Sequence, residues 1–467
     1  MAVGSVNVGR GGGSTAKNIT YDNSKTKVDG SNVQDVLDAL LGEILPKLTV
    51  EIDAGSQLTI KNGDTTLRGQ ANSSGTYTTI LPKGGEWSVT AKLNGETAEG
   101  TVSANTIGGR YSLTLSYAKI YGVSWDKSSK TTLSRTDDAA EFQNLIPSIN
   151  GSTGRSPFDS CLPWSGMKKE TVGGNAMVKI PKFWYKWTDE NGSLKLQIAD
   201  KKVEGFHVSP AHADRGDGVG ERDYVYIGRY KCDENYKSQT GKTPKTSITR
   251  DEARKGIKAL GNGYFQQDFA LFWTVRMLYL VEFADWDSQK VIGYGCGDAD
   301  DSAAYKTGSS DSMIYHTGTM QKSRVEEGNG VQYRWIEDPW AYALEWCDGI
   351  RFSGTDIYVF KNPKEYADNS GGTNTGARPT DSGCITGWGV PTADGLDWAL
   401  YPSSVGGTDF ATAISDQYNY IDGSEVLCIG GMTMHTYGGE YGMFLCSGFK
   451  ASTSSAFIAA RLQYLPS

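Results

Sequence analysis

The segment FQQDFALFWTVRMLYLVEFADW, residues 265–286, constrains this chain more than any other. It is apolar nearly all round, so a helix formed there must be covered on every side. A second helix is marked just upstream. In SITRDEARKGIKALGNG, Thr249 stands as N-cap with Glu252 three residues on, a capping box, and Gly261 or Gly263 ends the run. Aromatic runs that read as strands surround both helices: MVKIPKFWYKW (177–187), YVYIGRY (224–230), GVQYRWIED (330–338), DIYVF (356–360) and, near the end, GMFLC and AFIAARL. Residues 118–467 therefore read as an α+β domain with long loops. It is large for one core, so it carries insertions or splits off a subdomain at about 118–245.

Residues 47–117 have a different texture. LTVEI, SQLTI, TTLRGQA, YTTIL, EWSVTAKL, AEGTV and RYSLTLSY are short runs with period-two alternation. Trp87, Val89, Ala91 and Leu93 share one face, and Tyr111, Leu113, Leu115 and Tyr117 another. Asn62-Gly63 and Asn94-Gly95 are hairpin signals. The expectation is an all-β, immunoglobulin-like sandwich. It holds no His, Cys or clustered carboxylates, which suits a spacer.

Residues 1–46 open with a Gly/Ser/Asn/Lys-rich arm, flexible or ordered by a partner. SNVQDVLDALLGEIL follows, with Ser31 and Gln34 as a capping box. Val33, Leu37, Leu40 and Ile44 are spaced 4-3-4, a coiled-coil seam, and Val36 and Leu41 widen the stripe. A helix of barely two heptads is marginal alone, so the stripe meets either its own globular domain or copies of itself.

The formal net charge of −8 argues against nucleic acid as a partner, because phosphate binding needs a basic face. No apolar run is long enough to span a membrane, and the N-terminus lacks the apolar stretch of a signal peptide. The expected place of synthesis is a cytoplasm, with any exit outside the secretory route. Seven cysteines (161, 232, 296, 347, 384, 428 and 446) are scattered and never form C-x-x-C, so neither a disulfide framework nor a zinc site is expected. They read as small buried hydrophobes.

Few residues invite a catalytic reading. Cys347, in WAYALEWCDGI, would need a base in reach and partial exposure, and the chain has four histidines, 207, 212, 316 and 435. Strand alternation puts Tyr342, Leu344 and Trp346 on one side and Ala343, Glu345 and Cys347 on the other, which favours a core strand with Glu345 as a paired, buried carboxylate. His207 and His212 flank a proline, and a packed and an exposed histidine in one loop suit them better than a metal. Asp298, Asp300 and Asp301 offer oxygen ligands of the kind calcium takes, with a solvated turn as the alternative. GDGVGERD (216–223) is a glycine turn without the Lys-Ser/Thr of a phosphate loop.

The arm-plus-helix ITYDNSKTKVDGSNVQDVLDALL resembles the virion-attachment ends of bacteriophage tail-fibre proteins. KIPKFWYKW, GFHVSPAH…YVYIGRY, ITRDEARKGIKALGNGYFQQDFALFWTVRMLYLVEF, WAYALEWCDGI and the closing GG…GMFLCSGF…AARL occur in the order seen in phage receptor-binding proteins. This stretch resembles their C-type-lectin-like domains, which share the fold of formylglycine-generating enzymes. The resemblance implies that WAYALEWCDGI is a central strand with Trp346 in the core, and that Arg461 pairs internally. The oxidase relatives use a close pair of cysteines near the C-terminus. Here Cys428 and Cys446 stand eighteen residues apart, so that activity is not expected.

The expected protein is a virion fibre adhesin, not an enzyme and without a cofactor. It would form a homotrimer, dock on other virion proteins through residues 1–46, and bind a host cell-surface glycan or protein. The last forty residues mix aromatic and small polar side chains, a composition suited to recognition. There Met443, Leu445, Phe457 and Ile458 read as core. Met434, His435, Thr436, Tyr437, Glu440, Tyr441, Phe449, Lys450, Ser452 and Thr453 read as the receptor-binding face. The alternatives are a capsid head fibre or decoration protein, a tailspike-type enzyme on host glycans, whose paired carboxylates leave no linear motif, and a non-viral surface adhesin.

Overall fold

The structure is a computed structural model that describes residues 44–128, 133–190, 192–295, 305–320, 330–406, 416–430, 442–444 and 446–467. Strands make up 41% and helix 10%, so the protein is a mostly-β, multidomain chain. It divides into two compact units, Met1–Ala118 and Lys119–Ser467.

In the first unit each of the seven alternating runs forms a strand: β1 (Lys47–Glu51), β2 (Gln57–Asn62), β3 (Thr65–Gln70), β4 (Thr76–Ile80), β5 (Gly85–Leu93), β6 (Glu96–Ala104) and β7 (Arg110–Thr114). They make two sheets, ordered β4-β1-β7 and β3-β2-β5-β6. β1 runs antiparallel to β4 and parallel to β7. Along β5, Trp87, Val89 and Ala91 are buried while Glu86, Ser88 and Lys92 are exposed. The buried set joins Leu48, Val50, Leu58 and Ile60 in one core. The β5–β6 turn is Asn94-Gly95, with Leu93 opposite Glu96 and φ of +51° and +89° at the two turn residues. Both lie in the left-handed region that Asn and Gly tolerate best. The β2–β3 turn falls one residue later than its Asn-Gly signal, because Asn62 still pairs with Thr65 and Gly63-Asp64 make the loop.

The second unit is organised around the apolar segment. Helix α1 spans Arg250–Lys258, with Thr249 and Glu252 forming both halves of the capping box. Helix α2 spans Phe269–Phe283, and all of its residues are buried. Asp268 caps α2 by accepting from the Leu271 N–H at 2.8 Å. One side of α2 packs on strands Ile120–Asp126 and Ser193–Ala199 of a five-stranded sheet, and another on Leu344–Ser353 of a nine-stranded sheet. Being layered between sheets is why this helix has no polar face. Residues 265 and 266, read as part of the helix, instead belong to a short strand, Tyr264–Gln266, beside Leu462–Tyr464.

Two runs read as single strands are each broken. MVKIPKFWYKW becomes Asn175–Pro181 and Trp184–Glu190, in two different sheets. Pro181 lacks the N–H that would carry the ladder onward. GVQYRWIED folds back on itself: Val331–Tyr333 pairs with Ile336–Glu337 around Arg334 and Trp335, at φ +46° and +72°. Such angles cost a bulky residue energy. Burial of the Arg334 guanidinium against the Glu282 carboxylate offsets that cost. Among the described residues no helix is long and apolar enough to cross a membrane.

Candidate functional site

Strand Leu344–Ser353 is buried along all but its last residue. Leu344 and Trp346 face one cluster and Cys347 another, so the alternation holds. Trp346 packs fully and donates its indole N–H to the Ile248 carbonyl at 2.9 Å. Tyr342 lies outside the strand, at φ +63°, and stacks on Tyr305. Cys347 is wholly buried, and burial pushes its thiol well above the ordinary range, as it does for Cys428. A thiol held protonated this way is a poor nucleophile.

Glu345 is the centre of a buried ionic cluster. Arg461 reaches it through Nε at 3.0 Å and Nη2 at 2.6 Å, and Lys231 Nζ lies at 2.7 Å. The rest of Arg461 donates to the carbonyls of Gly228, Arg229, Glu337 and Asp338 at 2.8–3.1 Å. Burial alone would raise the Glu345 pKa, but the two cations outweigh it and hold the carboxyl down to about 2. Nearby Asp338 is pushed up to about 6, chiefly by burial. The cluster ties three separate segments, 228–231, 337–338 and the one that carries Arg461, to one strand, which makes it a structural lock.

Recognition was expected on the C-terminal segment. Cys446–Phe449 lies in the nine-stranded sheet between Val426–Ile429 and Gln417–Asn419. Phe449 is half-buried and edge-on to Trp346, with ring centroids 6.0 Å apart. Lys450 and Ser452 are exposed and Thr453 half-exposed, on a turn pinned by the Glu425 carboxylate, which accepts from the Ala451 N–H at 2.9 Å. Met434, His435, Thr436, Tyr437, Glu440 and Tyr441 lie outside the described residues, as does Leu445. Met443 and Ile458 are buried, but Phe457, also read as core, is 45% exposed. Neighbouring residues on an extended chain face opposite sides, so Ile458 inward leaves Phe457 outward. Trp388 is buried between Trp273 and Trp286.

Of the oligomerisation stripe, Ile44 is described and exposed; Val33, Val36, Leu37, Leu40 and Leu41 lie outside the described residues, and so do Asp298, Asp300 and Asp301. Among the described residues no group of His, Cys, Asp and Glu is placed to hold a metal. His212 is buried, with Nε2–H donating to the Ile180 carbonyl at 2.9 Å and Nδ1 accepting from Ser209 at 2.6 Å. Burial lowers its pKa to about 4, so it stays neutral. His207 is exposed, 4.0 Å from Asp397.

One feature escaped the sequence reading. Strands Lys168–Val172 and Asn175–Pro181, with the chain leaving Tyr224–Gly228, line an open cleft of about 350 Å³. Arg229 and Lys169 meet there. The Arg229 side chain is almost fully buried; its Nη2 donates to Asp311 at 2.9 Å, while Nε and Nη1 have no hydrogen-bond partner among the described residues. Such orphaned donors cost about 1–3 kcal/mol each. Asp311 also accepts from the hydroxyls of Tyr230 and, at 2.5 Å, Thr240. Lys169 Nζ sits 4.3 Å from the centre of the Trp335 ring, on the left-handed hairpin turn. These residues come from distant segments, so no linear motif announces them; the IGRYK and QYRW runs are the only trace.

No protein-family model matches the chain, and no curated protein matches it.

Proposed function

We propose that the chain is a bacteriophage virion fibre adhesin that binds a host cell-surface glycan or protein without cutting it. In this reading residues 1–46 attach it to the virion and trimerise it. Residues 47–117 are an immunoglobulin-like spacer. Residues 118–467 are a C-type-lectin-like receptor-binding domain. The parallel pairing of β1 with β7 and the two sheets around Trp87 support the spacer assignment. The last strand returning between Tyr224–Gly228 and Tyr264–Gln266, with Arg461 clamped beside it, supports the lectin-like one.

The observation that carries the binding reading is the turn after Cys446–Phe449. Phe449 anchors it to Trp346, while Lys450, Ser452 and Thr453 face outward. Adaptable polar groups on a rigid aromatic frame suit recognition. Tyr437→Ala or Tyr441→Ala should weaken host-cell binding at least about tenfold with an unchanged melting temperature. Full binding by both variants would move the receptor site off this segment. Release of soluble sugar from host envelopes would make the protein an enzyme.

A further inference from the structure

We propose that the Lys169–Arg229 cleft binds a carboxylate-bearing sugar, a hexuronate, at a site separate from the C-terminal turn. The inference does not depend on the adhesin reading.

Charge comes first. Among the described residues three cations, Lys169, Lys179 and Arg229, stand near Glu170 and Asp311, with the Glu337 carboxylate close enough to act on Asp311 and Tyr230. All three carboxylates are already engaged, Glu337 by the Gly308 and Ser310 N–H groups and the Ser310 hydroxyl. Asp311 takes Arg229, Tyr230 and Thr240. Glu170 accepts from the Tyr226 hydroxyl at 2.6 Å and has Lys179 at 3.6 Å. Among the described residues Lys169 has no carboxylate within ion-pair distance, and two nitrogens of Arg229 have no hydrogen-bond partner. An incoming carboxylate would give the Lys169 ammonium, beside the Arg229 guanidinium, a counter-charge.

Shape and lining narrow the class. The volume lies at the small end of ligand sites. Thr171 brings a hydroxyl, and Glu170 Oε1, with Lys179 beyond hydrogen-bond distance, keeps room to accept a ligand hydroxyl. Ala176 and Met177 add an apolar wall for a ring's C–H face. The strained Arg334-Trp335 turn holds the Trp335 ring beneath the Lys169 ammonium. Strain of this kind collects at binding sites.

The test is a calorimetric titration of the full chain with glucuronate, glucose and acetate. Glucuronate should bind saturably with a Kd on the order of 1 mM, and glucose and acetate at least about tenfold more weakly. Lys169→Glu, a change at an exposed residue, should abolish glucuronate binding without moving the melting temperature, and Lys168→Ala should leave binding intact. Arg229→Lys should also weaken it; if that variant misfolds, Lys169→Glu still decides. Equal binding of glucose would overturn the role of the cations. Equal binding of acetate would overturn the sugar. No glucuronate binding, or wild-type binding by Lys169→Glu, would overturn the site. Loss of binding to host cells in a protein that still takes glucuronate would count against the adhesin reading alone.

Discussion

Glu345 is a buried side chain on which two cations depend. Removing its charge leaves Arg461 and Lys231 buried with only the more distant Asp338 carboxylate to offset two cations, so Glu345→Gln should cost about 3–5 kcal/mol. The pH dependence has a definite sign. The folded carboxyl titrates at about 2 against an ordinary 4.5, so its stabilisation is complete above pH 4.5 and is lost as pH falls toward 2. Asp338 acts oppositely: raised from 3.8 to about 6, it makes stability fall as pH rises across that window. Denaturant titrations from acid to neutral pH should show the Glu345→Gln variant losing the acid limb while keeping the Asp338 step. An unchanged acid limb would mean that Glu345 is not clamped. Cys347→Ala should cost only about 1–2 kcal/mol and leave binding intact, since it removes a small group from a packed wall. Wild-type Cys347 should resist thiol reagents until the chain unfolds; fast modification of the native protein would contradict its burial.

At the scale of elements, what was legible depended on whether a pattern was local. The seven strands of the first unit follow from alternation, and α1 from its capping box, because both are written in adjacent residues. Gly95 sits at φ +89° with open space around it. Gly95→Ala should therefore cost about 1–2 kcal/mol through backbone strain alone. Hydrogen exchange should quicken across β5 and β6; unchanged exchange would show the turn to be adaptable. Burial of α2 was legible from its lack of a polar face, though not which sheets cover it. The Arg334-Trp335 hairpin was not legible, because its left-handed angles are sustained by Glu282, about fifty residues away. The Glu345–Arg461 pair was half legible: alternation places Glu345 inward, but only the folded chain brings Lys231 to it. The cleft left no trace beyond the IGRYK and QYRW runs because Lys169, Arg229 and Asp311 meet only after three segments have folded.

For the whole molecule, the chain divides at Ala118 into a small unit whose described residues from Lys47 on form seven strands and a large one built around a buried helix. The proposed assembly adds copies of itself through the 4-3-4 seam. Leu37→Asp with Leu40→Asp should shift the mass in light scattering from trimer toward monomer; an unchanged mass would mean that the stripe packs within its own chain. The adhesin reading stands or falls on attachment. Purified protein, labelled and titrated onto host bacteria, should bind saturably and block virus adsorption in proportion to occupancy. Absence of binding to cells that the virus infects, or binding that leaves adsorption untouched, would contradict it.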